Sequence, residues 1–498
     1  MTQPMRSMGL GALADVIAPQ RVVGLPVGEV RALAYDSRDV TPGALFFAVP
    51  GDHVDGHDYV PDAVAAGAVA VVAEREQPTL PVPQLMVERT RVALADAADA
   101  WYGRPSERLR VIGVTGTDGK TTTCFLAAAV LEAAGRRPGL AGTVAIRVGD
   151  AQRPNPNRNT TPEAPELQAL LADMVVAGND CVMMEATSHG LAQARVRNCR
   201  FAVGMVTNLT SEHLEFHGTQ EAYRAAKAIL VEEAPLAILN ADDAHYAYFR
   251  ARARGRILTY GFHADSDVRG LAVDARPDGT TFTARAPGWE GSVRLQLPGS
   301  FNVANALAAL ALAHAEEIDL DLAAGAIGRL AGVPGRMERV DEGQPFTVVV
   351  DYAHTADSLE KVLRELRPLA SRRLLAVFGS AGERDPSKRA PMGAVAAHLA
   401  DVVVVADEDP RLEDPRVINE AIADGARAAG AVDGEQLLVI DDRTEAIRRV
   451  IGMAGAGDVI LLAGKGHEQN IIYGTEWRPW DEAAVARQLL REAGYRHG

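Results

Sequence analysis

Cysteine, aromatic residues, positive charge and long apolar runs are all scarce in this sequence. Its 498 residues include three cysteines, Cys124, Cys181 and Cys199, with no C-x-x-C spacing. Neither a disulfide framework nor a thiolate metal site is expected, and a reducing, cytoplasmic setting is. The longest apolar run, around residues 63–73, is too short and too rich in Ala and Gly to span a bilayer. No basic segment followed by an apolar stretch reads as an export signal, so no membrane insertion is expected. Lys and Arg number 51 against 66 Asp and Glu, a formal net charge of −15, and such a field repels nucleic acid and anionic membranes. What is present is ordinary for a soluble globular chain, with 47% hydrophobic and 23% charged residues, too apolar for a disordered one. The length corresponds to about three domains at roughly 150 residues each.

The pattern along the chain predicts an α/β protein. Residues 111–115 form a β-branched run that ends in a Gly-rich turn, and 121–134 then reads as a helix. Buried-strand patterns at 181–186, 201–206 and 236–239 alternate with Ala-rich helical stretches at 166–177 and 219–231, which implies a parallel sheet. Short segments at 280–284 and 292–297, set apart by Gly, Pro and Asp, predict an antiparallel excursion before a helix at 303–316. A third alternating set, with strands at 347–350, 374–378, 402–406, 437–440 and 459–462, predicts a doubly wound domain. Residues 1–100 are the least legible. The expected domains are 1–105, 106–335 and 336–498.

The strongest local signal is Gly113-Val-Thr-Gly-Thr-Asp-Gly-Lys-Thr-Thr122. Its glycines let backbone N–H groups approach phosphate, Lys120 supplies charge and Thr121 a hydroxyl for Mg²⁺. The generic G-x-x-x-x-G-K-[ST] pattern is not met, because the residue five before Gly119 is Val114. Glu185 ends an apolar strand, where α/β ligand sites gather, and the polar Thr187-Ser188-His189-Gly190 follows it, which makes Glu185 a candidate Mg²⁺ ligand. His213 follows the next strand and opens on the same edge, although taken alone it reads as a surface residue. Lys227 falls in an amphipathic stretch, 221–230, where a solvated lysine is the default. Asp351 ends a strand and stands where an Asp can cap the next helix.

Together these segments closely resemble the Mur ligases, ATP-dependent amide-bond-forming enzymes of bacterial cell-wall precursor synthesis. The family's loop T-G-T-[ND]-G-K-T-T stands at residues 115–122, and Asn302-Val-Ala-Asn-Ala306, Gly335-Arg-Met-Glu338 and Asp351-Tyr-Ala-His-Thr355 match in order and spacing. The resemblance implies a three-domain architecture with a P-loop-type central parallel sheet and a doubly wound C-terminal domain. Asp36-Ser-Arg-Asp-Val40, Pro42-Gly43, Phe46-Phe-Ala48, Gly51 and Asp55-Gly56 resemble the uridine-diphosphate-binding domain of the branch that extends UDP-N-acetylmuramoyl-L-alanyl-D-glutamate to a tripeptide.

Carried over position by position, the resemblance places ATP at Gly116, Thr117, Asp118, Gly119, Lys120, Thr121, Thr122, Asn305, Arg336, Asp351 and His354. It places the UDP-muramoyl dipeptide at Ser37, Asn159, Thr160, Thr161, Thr187, Gln193 and Arg195. Lys120, Glu185, His213 and Lys227 are the implied catalytic group, and Thr121, Glu185, His213 and a carboxylated (carbamate) Lys227 the implied Mg²⁺ site. A carbamate would turn a cation that repels metal into an anion that ligates it. The implied partners are small molecules, acting on a monomer.

For the incoming amino acid the implied contacts are Arg384, Glu408, Asp409, Pro410, Arg411, Gly464 and Glu468. The signature associated with meso-diaminopimelate, Asp-Asn-Pro-Arg, is replaced by Glu408-Asp409-Pro410-Arg411. Arg411 with Arg384 suits a distal carboxylate and favours diaminopimelate. The charge of Asp409 suits the bare ammonium of lysine or ornithine, with Arg411 held by Glu408 or Glu413. A folylpolyglutamate or cyanophycin synthetase type, or a scaffold that kept the loop and lost the chemistry, is a more distant alternative. The 36–56 segment argues against the first and the catalytic set against the second.

Overall fold

Among the described residues the alternation of apolar runs and Ala-rich helices comes out as three main sheets, besides two two-stranded ones, with their strand ends gathered at loops. The computed structural model describes residues 7–51, 54–156, 159–210, 214–276 and 279–496. The chain divides into two compact units, Met1–Ser266 and Asp267–Gly498.

In the first unit a small sheet runs in the order Arg21–Val23, Gln84–Met86, Ala70–Ala73, Ala44–Phe47, Ala32–Ala34. All its pairings are parallel except that of the edge strand Arg21–Val23. Leu45 and Phe47 enter one core and Phe46 another, as the two-residue period of a strand covered on both faces requires. The apolar run at 63–73 is therefore no single element. It breaks at Gly67, φ +107°, into the helix Val60–Ala65 and the strand Ala70–Ala73.

The same unit holds a second sheet, in which Arg110–Thr115 is central, with Cys181–Glu185 on one side and Phe201–Val206 on the other, all parallel. Because the strand order reverses at Arg110–Thr115, the loops after these three strands open around one crevice, the place where sheets of this kind hold ligands. Pro138–Ala141 and Leu236–Asn240 extend it in parallel. The helix after the central strand, Lys120–Ala133, begins one residue earlier than the pattern predicts, with Gly119 at φ +81° as its N-cap.

The second unit opens with the antiparallel meander Val268–Arg276, Gly279–Ala286, Trp289–Leu295, followed by the helix Phe301–Ala315. Its main sheet runs Glu338–Val340, Thr347–Asp351, Val459–Ala463, Leu374–Phe378, Val402–Val405, Leu437–Val439. Only the edge strand Glu338–Val340 is antiparallel. Val349, Ala376, Val403 and Leu461 fill one face, and Val348, Leu375, Val404 and Ile460 the other, so the doubly wound expectation holds. On one face the helices Arg389–Leu399 and Pro415–Ala428 meet through a reciprocal glycine pair. A Cβ on Gly393 would stand 1.9 Å from the Ile422 carbonyl oxygen, and one on Gly425 2.0 Å from that of Ala390. No helix among the described residues is long and apolar enough to cross a membrane.

Candidate active site

In the first unit the Gly-rich turn is locked by its neighbour strand. Thr117 N donates to Asn208 O at 2.8 Å, Asp118 N to Asn208 Oδ1 at 2.9 Å, and Thr207 Oγ1 to Asp118 O at 2.6 Å. Gly116, at φ +147°, allows that closeness, since a Cβ there would overlap Thr207 Oγ1. Lys120 Nζ lies across the turn and donates to Gly116 O (2.9 Å) and Thr117 O (2.6 Å).

Glu185, 1% exposed, is the hub of the crevice. Its Oε1 accepts from Thr121 Oγ1 (2.9 Å) and Thr143 N (2.8 Å), and its Oε2 from Thr143 Oγ1 (2.9 Å). Thr143 Oγ1 also stands 2.9 Å from Thr160 Oγ1, and Thr161 Oγ1 donates to Glu185 O at 2.8 Å. Thr161 then links to Thr187, which caps the short helix Ser188–Ala192. Arg195 donates to Thr161 O (2.9 Å) and Gln193 Oε1 (2.6 Å) and pairs with Glu163 (2.8 Å). Thr121, Thr160, Thr161, Thr187, Gln193 and Arg195 are thus one connected set. Thr143 joins it without any motif to announce it. Its one sequence signal is a Gly-Thr pair directly after a buried run.

Ser37 stands apart from this set, on the 3₁₀ turn Ser37–Asp39 capped by Asp36. Asn159 is exposed. Next to Ser37's turn, Tyr35 OH donates to Glu166 Oε1 at 2.8 Å, and Arg91 pairs with Glu163. These bonds tie the small sheet to the helix that follows the acceptor-side threonines.

Lys227 overturns the solvated reading. It is 2% exposed, its Nζ donates to Gly116 O at 2.6 Å and it lies 4.6 Å from the centre of the Tyr223 ring. The reason is helical phase. Tyr223, Lys227 and Leu230 share the buried stripe of Gln220–Glu233, and an i, i+4, i+7 spacing puts the lysine on the sheet-facing side. A hydroxyl and a carboxylate oxygen 2.9 Å apart at Thr121 and Glu185 form a donor pair suited to a hard divalent cation. His213 lies outside the described residues, and among those described no three His, Cys, Asp or Glu side chains gather as a metal site.

In the second unit Asp351 does not cap the next helix. Its Oδ2 accepts from Met337 N (2.8 Å) and its Oδ1 from Ala353 N (2.9 Å), while Thr355 caps Ala356–Leu366 with a capping box. Asp351 therefore anchors the backbone beside Arg336. The Arg336 guanidinium lies 4.8 Å from the centre of the Tyr352 ring, which in turn neighbours His354 (4.6 Å) and His467 (4.9 Å). Burial, then the charges of Arg336 and Lys465, hold His467 down at about pKa 3, so its ring is neutral at pH 7. Asn305 sits inside the helix Phe301–Ala315 and donates to Asn302 Oδ1 at 3.1 Å.

Where strands Val402–Val405 and Val459–Ala463 end, three of the expected amino-acid residues, Glu408, Asp409 and Glu468, gather around one that sequence reasoning missed. Lys465, with a fully buried side chain, donates to Asp409 Oδ1 at 2.8 Å and Glu468 Oε2 at 2.6 Å. Burial pulls its pKa down, and Glu468, Asp409 and Glu408 raise it further than that. Asp409 is thus no free ammonium receptor, which corrects the electrostatic argument for lysine or ornithine. The expected ion pair of Arg411 with Glu408 or Glu413 is not found either, because Glu413 pairs with Arg389 at 2.8 Å. Arg411 holds its loop through backbone bonds to Ile472 O (2.9 Å) and Gly474 N (2.7 Å) at φ +54°. Its Nε, like Glu408 Oε2, is buried with no partner among the described residues. Burial raises the pKa of Glu408 against the pull of Lys388, Lys465 and Arg443. Arg384 is exposed, and Pro410 and Gly464 are buried. Beneath them the buried Arg443 donates to Ala463 O (2.7 Å) and Asp407 O (3.3 Å) and pairs with Glu482 (2.7 Å). It clamps the carbonyls just before Gly464 and Glu408.

Comparison with known proteins agrees with this geometry. Residues 114–313 match the Mur ligase middle domain, 335–466 the Mur ligase glutamate ligase domain, and 29–102 the catalytic-domain profile of the Mur ligase family. A UDP-N-acetylmuramyl-tripeptide synthetase of Roseiflexus sp. is 50% identical over 94% of this chain and 96% of its own. A UDP-N-acetylmuramoyl-L-alanyl-D-glutamate–2,6-diaminopimelate ligase of Geobacillus kaustophilus is 45% identical over 94% of this chain and 96% of its own. A solved structure of a ligase with that second name superposes with a TM-score of 0.69 at 31% identity, covering 98% of this chain and all of the other. With such relatives spanning nearly its whole length, the chain belongs to the Mur ligase family, among its ATP-dependent tripeptide synthetases.

Proposed function

We propose that this enzyme adds meso-diaminopimelate to UDP-N-acetylmuramoyl-L-alanyl-D-glutamate, with domains at 1–105, 106–335 and 336–498, as a cytoplasmic monomer. One observation carries the reading of the central site. A single carboxylate, Glu185, joins the nucleotide-loop residue Thr121 to the acceptor-side residues Thr143, Thr160 and Thr161, so phosphate and acceptor carboxylate meet over a few ångströms of shared hydrogen bonds. The D-glutamyl side-chain carboxylate attacks the ATP γ-phosphate to give an acyl phosphate and ADP. The incoming amine then attacks the acyl carbon and inorganic phosphate leaves.

Thr121, Glu185, His213 and a carboxylated Lys227 would hold Mg²⁺, whose charge neutralises the triphosphate. Lys120, bound to two backbone carbonyls, turns its ammonium to the β- and γ-phosphates. The N–H groups at the start of the helix Lys120–Ala133 would receive them. Thr160, Thr161 and Arg195 hold the acceptor. The family resemblance also assigns Asn305, Arg336, Asp351 and His354 to the nucleotide.

Diaminopimelate is preferred because Asp409 is already engaged by Lys465 while Arg411 Nε stays unsatisfied, and because relatives such as that of Geobacillus kaustophilus are named for it. Lysine or ornithine is the second reading. Incubating the purified protein with ATP, Mg²⁺, the UDP-muramoyl dipeptide and each amino acid, followed by mass spectrometry, tests both. The expected product carries diaminopimelate. Incorporation of lysine or ornithine in its place removes that assignment, and phosphate release with no amino acid incorporated removes the ligase reading.

A further inference from the structure

The proposed amino-acid site leaves one buried carboxylate oxygen without a hydrogen-bonded partner among the described residues. Glu408, Asp409 and Glu468 surround one ammonium, that of Lys465. Two of the three carboxylates bond it, Asp409 at 2.8 Å and Glu468 at 2.6 Å. Asp409 Oδ1 also accepts from Ile472 N at 3.1 Å. The carboxylate left over is Glu408, 6% exposed, whose Oε2 has no partner among the described residues. It faces Gly464, where a Cβ would come within 2.9 Å of Oε2. Three residues beyond Glu408 on the same loop, Arg411 Nε is a buried donor that likewise has no partner among the described residues. Buried polar atoms without partners are costly. A carboxylate oxygen and a guanidinium nitrogen without partners on one loop suit a ligand that brings an ammonium and a carboxylate together.

Resting on the ligase reading above, we infer that Lys465 is the positioning residue that sets amino-acid specificity. By holding Asp409 and Glu468 it leaves Glu408 as the one acceptor for a substrate ammonium and keeps the neighbourhood of Arg411 open to a substrate carboxylate. The replacement of a neutral amide by Asp409 is thereby silenced within the protein. Without Lys465, two released carboxylates would face the substrate, attract a bare ammonium and repel a zwitterionic end. Lys465 acts on its neighbours' charges and touches no reacting atom.

The test measures kcat and KM for diaminopimelate, lysine and ornithine, and KM for ATP, in wild type, Lys465→Met, Asp409→Asn and the double variant. Lys465→Met is expected to raise KM for diaminopimelate about tenfold or more, to shift the lysine-to-diaminopimelate ratio of kcat/KM toward lysine by about tenfold, and to leave KM for ATP within about twofold. Asp409→Asn alone is expected to leave that ratio within about threefold, and in the double variant it should move the ratio back toward wild type. An unchanged ratio in Lys465→Met overturns the inference. So does an Asp409→Asn shift toward diaminopimelate as large as that expected of Lys465→Met, which would make Asp409 itself the receptor, and this arm stands even if Lys465→Met does not fold. Wild type that incorporates none of the three amino acids while hydrolysing ATP defeats the ligase reading instead.

Discussion

The crevice of the first unit, proposed above for nucleotide, and the loop cluster of the second, proposed for the amino acid, both lie at the carboxyl ends of parallel strands, yet they treat charge differently. In the crevice Lys120 rests on two backbone carbonyls, and Lys227 donates to the Gly116 carbonyl. Glu185 is satisfied by hydroxyl and amide donors. In the amino-acid site acids and bases are tied to one another, Lys465 to Asp409 and Glu468, Arg443 to Glu482. A lysine on a carbonyl gives up that bond readily for a phosphate, because charge-assisted bonds are about twice as strong as neutral ones. A buried lysine between two carboxylates does not move. At Lys120 the first site keeps a charge that can turn to a ligand, whereas the second holds Lys465 and Arg443 in place beforehand.

The largest effect expected from that contrast is at Lys120. Lys120→Ala should abolish product formation, a loss of at least about 10³-fold in kcat, while circular dichroism and Tm stay near wild type, since only two carbonyl bonds are lost. Wild-type turnover would break the comparison at its first term. Next comes Lys227→Ala, expected to lose activity and to regain part of it with added short-chain carboxylates that occupy the vacated carbamate position. Full activity without additive removes the carbamate.

In the second site, Arg443→Met should raise KM for the amino acid by about tenfold and leave KM for ATP nearly unchanged, with Arg443→Lys recovering part of the loss. Equal changes in both constants would mean a general folding defect. The smallest effect is on stability. Burial holds the Glu408 pKa above its unfolded value, so the folded state keeps a proton that the unfolded state has released, and stability falls as pH rises through that window. Glu408→Gln should therefore raise stability at pH 7–8 by about 1 kcal/mol and by less near pH 4, where Glu408 is itself protonated, while amino-acid binding is lost. Denaturant unfolding at the two pH values reads the difference.

How legible each site is in the sequence follows the same division. Gly116 to Thr122 lie in one turn between a strand and a helix, so their order along the chain is their arrangement in space. The main sheets were readable for a related reason. Runs such as 374–378 are buried on both faces, and their apolar continuity shows it. Lys227 was misread because a charged residue on a buried stripe contradicts the pattern that locates the stripe. Thr143 and Lys465 went unremarked because their partners lie 42 and 56 residues away. Glu468 lies only three residues from Lys465, but a local acid alone does not announce a lysine as buried when the other carboxylate that holds it, Asp409, comes from another strand end. Residues 1–100 were hard to read because their strands are two to four residues long, too short to show a period.

The reciprocal pair Gly393 and Gly425 brings two helices to backbone contact beside the strand that leads into Glu408 to Arg411. Any side chain at either position would strike a carbonyl, so the frame around that loop cannot drift by small substitutions. Change of substrate during descent from a common ancestor must then proceed by exchanging side chains on a stationary loop. On the role inferred above for Lys465, an acid at position 409 is accommodated where a lysine already stands to hold it. The order of mutations, and not their number alone, decides which amino acids such an enzyme can come to accept.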